Sequence, residues 1–297
     1  MWLEAMPDKP EKQTGKPTRI ARLIALLLLT GVFLYSGYQV ARLRLIGKNE
    51  ENEFKGLTQL VESGKNRETA GAEATDVTEK NDELYSQITE PNETGEMETE
   101  ETTPSILPYY EIVYEKNPDF TGWLTVPKTN INYPVMYTPD ETEYYLRKAF
   151  NRKYAISGTP FIGANCDTDS DCFIIYGHNM KNETMFGTLD YYAKAEFREQ
   201  NPEFTFDTLY EERTYRVFAA FKGKVLSAGE SGFRYYDYAG DLDEESFSAL
   251  MGELEKASLY KTGERPVYGD QILLLSTCAY HTENGRFVVA AYRSLHK

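Results

Sequence analysis

Cys278 ends an apolar run, Gln271–Cys278, whose composition is typical of a strand that is buried along its length. A second apolar run, Phe287–Tyr292, begins nine residues after Cys278, so we expect the two runs to pair as a β-hairpin. Arg286 stands at the start of the second run. The hairpin therefore brings a thiol and a guanidinium to the same end of a sheet. The alternative for these two residue types is a small buried cysteine and a surface arginine.

His178 follows another apolar run, Phe173–Gly177, and is expected at the point where that strand leaves the core. The chain has three histidines, so few imidazoles could serve as an acid or a base. His281 lies in the loop after Cys278 and is the weaker rival. His296, next to the last residue, is expected to be solvated.

These three side-chain types together suit the exchange of peptide bonds. The thiolate is the nucleophilic form of cysteine, and it is favoured by a cationic neighbourhood. An imidazole can protonate a departing amine. A guanidinium can donate to peptide carbonyls and to the oxyanion formed on attack, without titrating itself.

The elements that must position these side chains are mostly strands, because short runs rich in Val, Ile, Tyr and Phe alternate with Gly, Pro, Asn or Asp. One long helix is predicted, in which Phe247, Leu250 and Leu254 share a face and Asp243 caps the first turn. This mixture predicts a mostly β barrel or sandwich with added helices. The predicted strands are Thr121–Val126, Ile131–Met136, Thr159–Ile162, Phe173–Tyr176, Tyr215–Phe221, Ile272–Thr277 and Phe287–Tyr292.

The blocks around the candidate residues resemble the sortases, and the class B sortases in particular. The family's nucleophile block is Thr-Leu-x-Thr-Cys, and Leu274–Cys278 reads Leu-Leu-Ser-Thr-Cys, with leucine replacing the first threonine away from the thiol. Arg286, eight residues after Cys278 and followed by Phe-Val-Val, matches the strand-borne arginine of the family. The other matching blocks are Tyr176–Met180, Asn117–Val126, Ile131–Val135 and the long insertion at 224–270.

This resemblance implies a closed eight-stranded β-barrel with peripheral helices, carrying a cysteine transpeptidase on the outer face of a Gram-positive type of bacterium. Cys278 would attack the carbonyl of a threonine in a C-terminal sorting signal and form a thioacyl enzyme. His178 would protonate the leaving amine and deprotonate the incoming one, and Arg286 would hold the substrate backbone and the oxyanion. The implied partners are surface proteins with such a signal and an amine of a cell-wall precursor or another protein.

The resemblance also implies a substrate groove, for which Tyr176, Ser276, Thr277 and Leu146 are the candidate residues. For Leu146 the alternative is a core position in a short helix over 141–150. No metal and no cofactor is expected.

A membrane anchor is predicted near the N-terminus, where Leu23–Val40 is an uncharged run of 18 residues. As a helix it spans about 27 Å, close to the thickness of the hydrocarbon core of a bilayer. It is too long for a signal peptide and lacks a suitable cleavage site, so we expect it to be retained. Five basic residues precede the run and three follow it, which favours a cytoplasmic segment 1–22 and an extracellular catalytic domain.

Residues 41–104 are predicted to be an extracytoplasmic acidic linker. Within it, Phe54, Leu57 and Val61 have helical spacing, but residues 64–104 carry twelve acidic and three basic residues and few apolar ones. Such a segment cannot bury enough surface to offset the entropy lost on ordering, so it is expected to be disordered. The folded domain is then 105–297.

The formal charge of −15 argues against a nucleic-acid partner.

The remaining cysteines, Cys166 and Cys172, flank an acidic loop and could be free or form a small disulfide outside the cell. The loop has an Asp-x-Asp-x-Asp pattern but lacks the glycine and the final glutamate of a calcium-binding loop, so we interpret it as solvated.

Two other functions stay open beside the transpeptidase. One is a hydrolytic cysteine protease, and the other is a non-catalytic, surface-anchored domain that binds peptides.

Overall fold

The computed structural model describes residues 19–75, 105–279 and 282–295. These residues divide into two compact units, and the division falls between Ile46 and Gly47. Four α-helices occur in the described part of the chain: α1 Arg19–Thr75, α2 Pro108–Lys116, α3 Ala195–Gln200 and α4 Glu244–Ala257. Short 3₁₀ turns occupy Pro139–Glu141, Tyr144–Arg147, Leu189–Ala193 and Tyr235–Tyr238.

The N-terminal part of α1 is apolar on all sides. Its large side chains, from Ile20 to Leu45, are exposed. The helix contains a stretch with a mean hydropathy of 1.9 and is long enough to cross a membrane. One helix of this length and composition therefore agrees with the predicted anchor.

The second part of α1 differs from the predicted linker. Residues 41–75 are helical, and Phe54, Leu57 and Val61 are buried in the main hydrophobic core. The ring of Phe54 packs edge-on against Tyr133 at a centroid distance of 5.3 Å. These three apolar residues at helical spacing bury apolar surface against the barrel, whereas the acidic segment further along has few apolar residues to bury. Residues 76–104 of the predicted linker lie outside the described residues.

Eight strands in the described residues close into a barrel with the order β1-β2-β3-β4-β7-β8-β6-β5. Neighbouring strands are antiparallel except for the pairs β2·β3 and β4·β7. The predicted fold class is confirmed. The strands are β1 Phe120–Thr125, β2 Asn132–Met136, β3 Phe161–Ile162, β4 Cys172–Gly177, β5 Glu203–Thr208, β6 Thr214–Lys224, β7 Gln271–Cys278 and β8 Gly285–Arg293.

Strand β7 shows why its sequence is apolar without interruption. Leu273 and Leu275 point into the barrel core, whereas Ile272 and Leu274 belong to a second cluster outside it. Successive side chains of a strand point to opposite faces, so both faces of β7 must be apolar.

Helix α4 supplies the outer cover of this part of the barrel. Phe247, Leu250 and Leu254 are buried in the second cluster, as the spacing predicted. The predicted cap is also present, because Asp243 Oδ1 accepts a hydrogen bond of 2.8 Å from the Ser246 amide. The insertion between β6 and β7 therefore shields the strand that ends at Cys278.

Other elements also differ from the sequence predictions, among them strand β5 and the segment 141–150. Strand β5 was not predicted, because its run Glu-Phe-Thr-Phe-Asp-Thr has only two apolar residues, which are nevertheless buried. The short helix over 141–150, which was the alternative setting for Leu146, is replaced by two 3₁₀ turns. The second turn ends where Lys148 becomes extended and forms a β-bridge with Tyr154, and this pairing prevents further helix.

Candidate active site

The three candidate catalytic residues lie at one end of the barrel. In the parallel pair β4·β7, Gly177 is in register with Thr277, so His178 and Cys278 follow at adjacent strand ends. In the antiparallel pair β7·β8, Cys278 is directly opposite Arg286. Directly opposed residues have Cβ atoms about 5 Å apart and on the same face.

A cavity of about 660 Å³ opens at this end of the barrel. His178, Cys278 and Arg286 all contribute to its wall, and so do the four residues predicted for the substrate groove. The fold thus brings His178 together with Cys278 and Arg286, which follow it by a hundred positions or more in the sequence. The other histidines, His281 and His296, lie outside the described residues.

The imidazole of His178 is oriented by a backbone carbonyl. Its Nε2 lies 2.8 Å from the carbonyl oxygen of Leu146. A carbonyl only accepts hydrogen bonds, so Nε2 carries a proton and Nδ1 is the nitrogen that exchanges one. Burial lowers the pKa of His178, the Leu146 carbonyl opposes that shift, and the positive charge of Arg147 adds to it. A neutral imidazole with one fixed nitrogen can accept a proton at the other.

Cys278 is the accessible cysteine of the three. Its side chain is half-buried, whereas Cys166 and Cys172 are buried and free, with no disulfide between them. Burial raises the pKa of Cys166 to about 11 and raises the pKa of Cys172 further. These two thiols are therefore poor nucleophiles, because the reactive form is the thiolate.

The Arg286 guanidinium is held by the turn that precedes it. One of its terminal nitrogens, Nη1, donates to the carbonyls of Gly285 at 3.0 Å and Asn284 at 3.4 Å. Asn284 has a left-handed backbone, with φ of 55°, which closes the turn into β8. The planar guanidinium has five N–H donors, and the bonds of Nη1 to the turn hold it in place. It can therefore bind carbonyl and oxyanion oxygens.

The four predicted groove residues divide into two pairs. Leu146 and Tyr176 are half-buried in the cavity wall, where Tyr176 packs against Phe161 at a ring distance of 5.8 Å. Ser276 and Thr277 are almost fully buried, and their hydroxyls bond within the protein: Ser276 to the Tyr235 hydroxyl at 2.8 Å and Thr277 to the Gly177 carbonyl at 2.7 Å. Thr277 therefore ties β7 to the end of β4, and Ser276 ties β7 to the 3₁₀ turn Tyr235–Tyr238.

Several cavity residues escaped the sequence reasoning. They come from the turn before Leu146, from the loop between β3 and β4 and from the insertion between β6 and β7, where no local pattern marks them. Asn179 was inside a matching block, but the bond from its amide to the Cys278 carbonyl, 2.9 Å long, required the fold. Within the described residues there is no cluster of three or more potential metal ligands. The additional wall residues are Thr142, Glu143, Asn165, Val225, Tyr236 and Asp237.

Comparisons with known proteins agree with the barrel and the site. The Sortase domain family matches residues 124–294, more than half of the chain. Sortase B of Staphylococcus aureus is 28% identical over 190 residues, which are 63% of this chain and 75% of that protein. Sortase B of Listeria monocytogenes is 26% identical over 269 residues, which are 89% of this chain and 92% of that protein.

Among solved structures, sortase B of Bacillus anthracis in complex with AAEK1 has a TM-score of 0.54 and 28% identity, covering 63% of this chain and 85% of that one. The chain belongs to the sortase family, whose members are cysteine transpeptidases. Within that family it is a class B sortase.

Proposed function

We propose that this protein is a membrane-anchored cysteine transpeptidase that cleaves a C-terminal sorting signal after a threonine and joins the protein to an amine. The observation that carries this proposal is the meeting of three strand ends. Cys278 stands opposite Arg286, and His178 follows the neighbouring strand into the same cavity. These are the groups that thiol-based acyl transfer requires.

In the first half-reaction, the thiol proton of Cys278 passes to Nδ1 of His178, and the resulting thiolate sulfur forms a bond to the carbonyl carbon of the substrate threonine. Negative charge moves to the carbonyl oxygen, which Arg286 stabilises by donation from its guanidinium. The bond from carbon to nitrogen then breaks, and protonated His178 gives its proton to the departing amine. The products are a thioester on Cys278 and a free C-terminal fragment.

In the second half-reaction, an amine attacks the thioester carbon. Neutral His178 accepts a proton from the attacking nitrogen, and the bond from carbon to sulfur breaks, which returns the thiolate of Cys278. The net change is one peptide bond exchanged for another. The proposed acceptor is an amine of a cell-wall precursor or of another protein. If water attacks instead, the same site acts as a hydrolytic protease.

The test uses the full chain in detergent, because residues 50–65 pack on the barrel. It is mixed with a library of quenched peptides that carry pentapeptide sorting motifs, with and without a short glycine peptide as acceptor. We expect cleavage with at least one motif, and mass spectrometry should find the ligated product when the acceptor is present. Hydrolysed product in both mixtures would favour the protease. Peptide binding without a thioester on Cys278 would favour the binding domain.

Matched variants test which thiol takes part in the reaction. Cys278→Ala and His178→Ala should each lose nearly all turnover. Cys166→Ala removes a buried thiol and should keep the wild-type rate. Turnover in the absence of Cys278 would overturn the proposed mechanism.

We further propose that residues 1–22 are cytoplasmic, residues 23–40 span the membrane, residues 41–104 link and residues 105–297 form the extracellular catalytic domain. The larger number of basic residues before the apolar run supports this orientation. Residues 50–65 of the segment proposed as the linker pack on the barrel, so we place the start of the folded part before residue 105. Protease added to intact cells should remove the catalytic domain and leave an N-terminal epitope protected.

A further inference from the structure

Glu50 in helix α1 is buried although it is charged, with only 7% of the residue exposed. Its carboxylate accepts hydrogen bonds from the Ile156 amide at 3.0 Å, the Ser157 amide at 3.4 Å and the Ser157 hydroxyl at 2.5 Å. A buried carboxylate is tolerated when donors of this kind surround it. Three donors from one loop therefore converge on a single side chain that lies over a hundred residues away in the sequence.

The loop that Glu50 holds lies directly against the turn that carries Leu146. Gly158 follows Ser157 with φ of 61°, and a Cβ placed on it would lie 2.6 Å from the Leu146 carbonyl oxygen. Two further bonds join the same segments: Arg147 Nη1 donates to the Ile156 carbonyl at 2.9 Å, and the Ala155 amide donates to the Arg147 carbonyl at 3.0 Å. Residues 155–158 thus form the support behind the Leu146 carbonyl.

That carbonyl is the group that orients the imidazole of His178. The contacts therefore run without a gap from Glu50 through Ser157 and Gly158 to Leu146 and then to His178. We propose that Glu50 is a positioning residue for the transpeptidase reaction: it fixes the loop at 156–158 so that the Leu146 carbonyl holds His178 Nε2 in place. This inference rests on the proposed function, in which His178 moves the protons.

Attachment of helix α1 to the barrel does not by itself require a buried carboxylate at position 50. Phe54, Leu57 and Val61 already bury the apolar face of α1 in the core. Glu53, one turn along the helix, accepts a bond of 2.8 Å from the side-chain amide of Asn151. It is more exposed than Glu50 and bonds no backbone donor of the 156–158 loop. Glu50 and Glu53 therefore form a matched pair, in which only Glu50 reaches the support of His178.

The test compares the full chain in detergent with Glu50→Gln and with the control Glu53→Gln. Glutamine keeps the size of the side chain but turns an amide donor toward groups that also donate. We expect Glu50→Gln to lower kcat about tenfold with KM nearly unchanged, since misplaced catalytic groups slow the chemical step. Glu53→Gln should keep both constants. Unfolding midpoints close to wild type for both variants would show that the fold is retained.

A second readout needs no substrate and reports on His178 itself. The bond to the Leu146 carbonyl favours the protonated imidazole, so its loss should lower the midpoint of the His178 titration followed by NMR. Two charged residues near His178 are unchanged in the variant. Arg147 follows Leu146 in its 3₁₀ turn, and Arg286 lies in the wall of the same cavity. Glu53→Gln should titrate as wild type.

Folded Glu50→Gln with a wild-type kcat and a wild-type His178 titration would overturn the inference. If Glu50→Gln does not fold, Ser157→Ala takes its place with the same expected direction and the same overturning result. This variant removes the hydroxyl bond to Glu50 and the longer one to the Gly158 carbonyl at 3.4 Å, but it keeps both backbone amide bonds to Glu50. If the wild-type chain shows no transfer, the proposed function fails. The titration still tests the positioning role in that case, because it is measured on the free protein.

Discussion

The side-chain amide of Asn179 donates a hydrogen bond of 2.9 Å to the backbone carbonyl of Cys278. A second bond crosses the same pair of strands one residue earlier, from the Thr277 hydroxyl to the Gly177 carbonyl at 2.7 Å. The ends of β4 and β7 are therefore tied together at Cys278 and one residue before it. His178, between the two bonded positions, is fixed relative to the sulfur by these contacts.

Asn179→Ala should loosen this connection. We expect the free energy of unfolding to fall by about 1 kcal/mol, the usual net value of one hydrogen bond. Activity should fall more steeply, by about tenfold in kcat/KM, because Cys278 and His178, the groups proposed to react, are then held less firmly relative to each other. Asn182→Ala, which changes an exposed asparagine bonded only locally to Thr184, is the control. Full activity in Asn179→Ala would contradict the prediction.

Arg286→Lys should lose most of the turnover although the charge is kept. An ammonium is a point charge on a flexible stem and cannot reproduce the planar fork that the turn at Asn284 and Gly285 holds. The measurement is the rate of peptide cleavage at saturating substrate. Arg293→Lys, at the other end of the same strand, removes a paired contact with Glu211 and should change stability without changing the rate. Equal rates of peptide cleavage for Arg286→Lys and wild type would show that the reaction does not need the planar guanidinium of Arg286.

Stability should depend on pH through His178. Burial lowers the pKa of its imidazole below the ordinary value of 6.5. The unfolded chain therefore binds this proton at a higher pH than the folded chain, and stability is lost as the pH falls from 6.5 toward the folded pKa. Above pH 6.5 the contribution is fully present.

The measurement is the free energy of unfolding by denaturant between pH 7.5 and pH 5. The wild type should lose more stability on acidification than His178→Gln, since the other two histidines cancel in the comparison. A constant difference between the two proteins across this range would show that His178 is not shifted.

Lys65 joins helix α1 to a buried carboxylate of the barrel. Its ammonium lies 2.8 Å from Asp207 Oδ2, which also accepts from the Tyr110 hydroxyl at 2.8 Å. The Asp207 side chain is 4% exposed, whereas that of Lys65 is 38% exposed, so solvent screens the pair in part. We expect Lys65→Ala to lower the free energy of unfolding by about 1–2 kcal/mol, because a buried charge loses a partner.

Lys55→Ala is the matched control for this prediction. Lys55 pairs with Glu51 on the same helix at 2.6 Å, but both side chains are exposed. Its loss should change stability by less than about 0.5 kcal/mol. Equal effects of the two substitutions would mean that Lys65 adds no more to stability than an exposed surface pair.

The three cysteines should differ in their reactions with an alkylating reagent. Cys278 is accessible in the cavity, whereas burial raises the pKa of Cys166 to about 11 and shields Cys172 completely. Native protein at pH 7.5 should take up one label quickly, on Cys278, and all three after denaturation without a reductant. Mass spectrometry of the peptides locates each label. Only one label after denaturation would indicate a disulfide between Cys166 and Cys172.

Much of the site could be predicted because its strongest signals are local. Cys278 and Arg286 are eight residues apart on a hairpin, and the apolar composition of both strands determines their pairing. His178 could be assigned to a strand end from the buried run before it. The anchor was predicted from the length of an apolar run, and α4 from its spacing and its cap at Asp243.

What the sequence determined by itself is the set of chemical groups and the strands that end in them, because composition and periodicity depend on neighbouring residues. What only the tertiary structure decided is which distant groups support them. The helix at 41–75, the buried carboxylate of Glu50 and the carbonyl of Leu146 are joined to His178 by contacts between segments far apart in the chain. Such contacts depend on the closure of the barrel, and no periodicity along the chain records which donors a buried acceptor will meet.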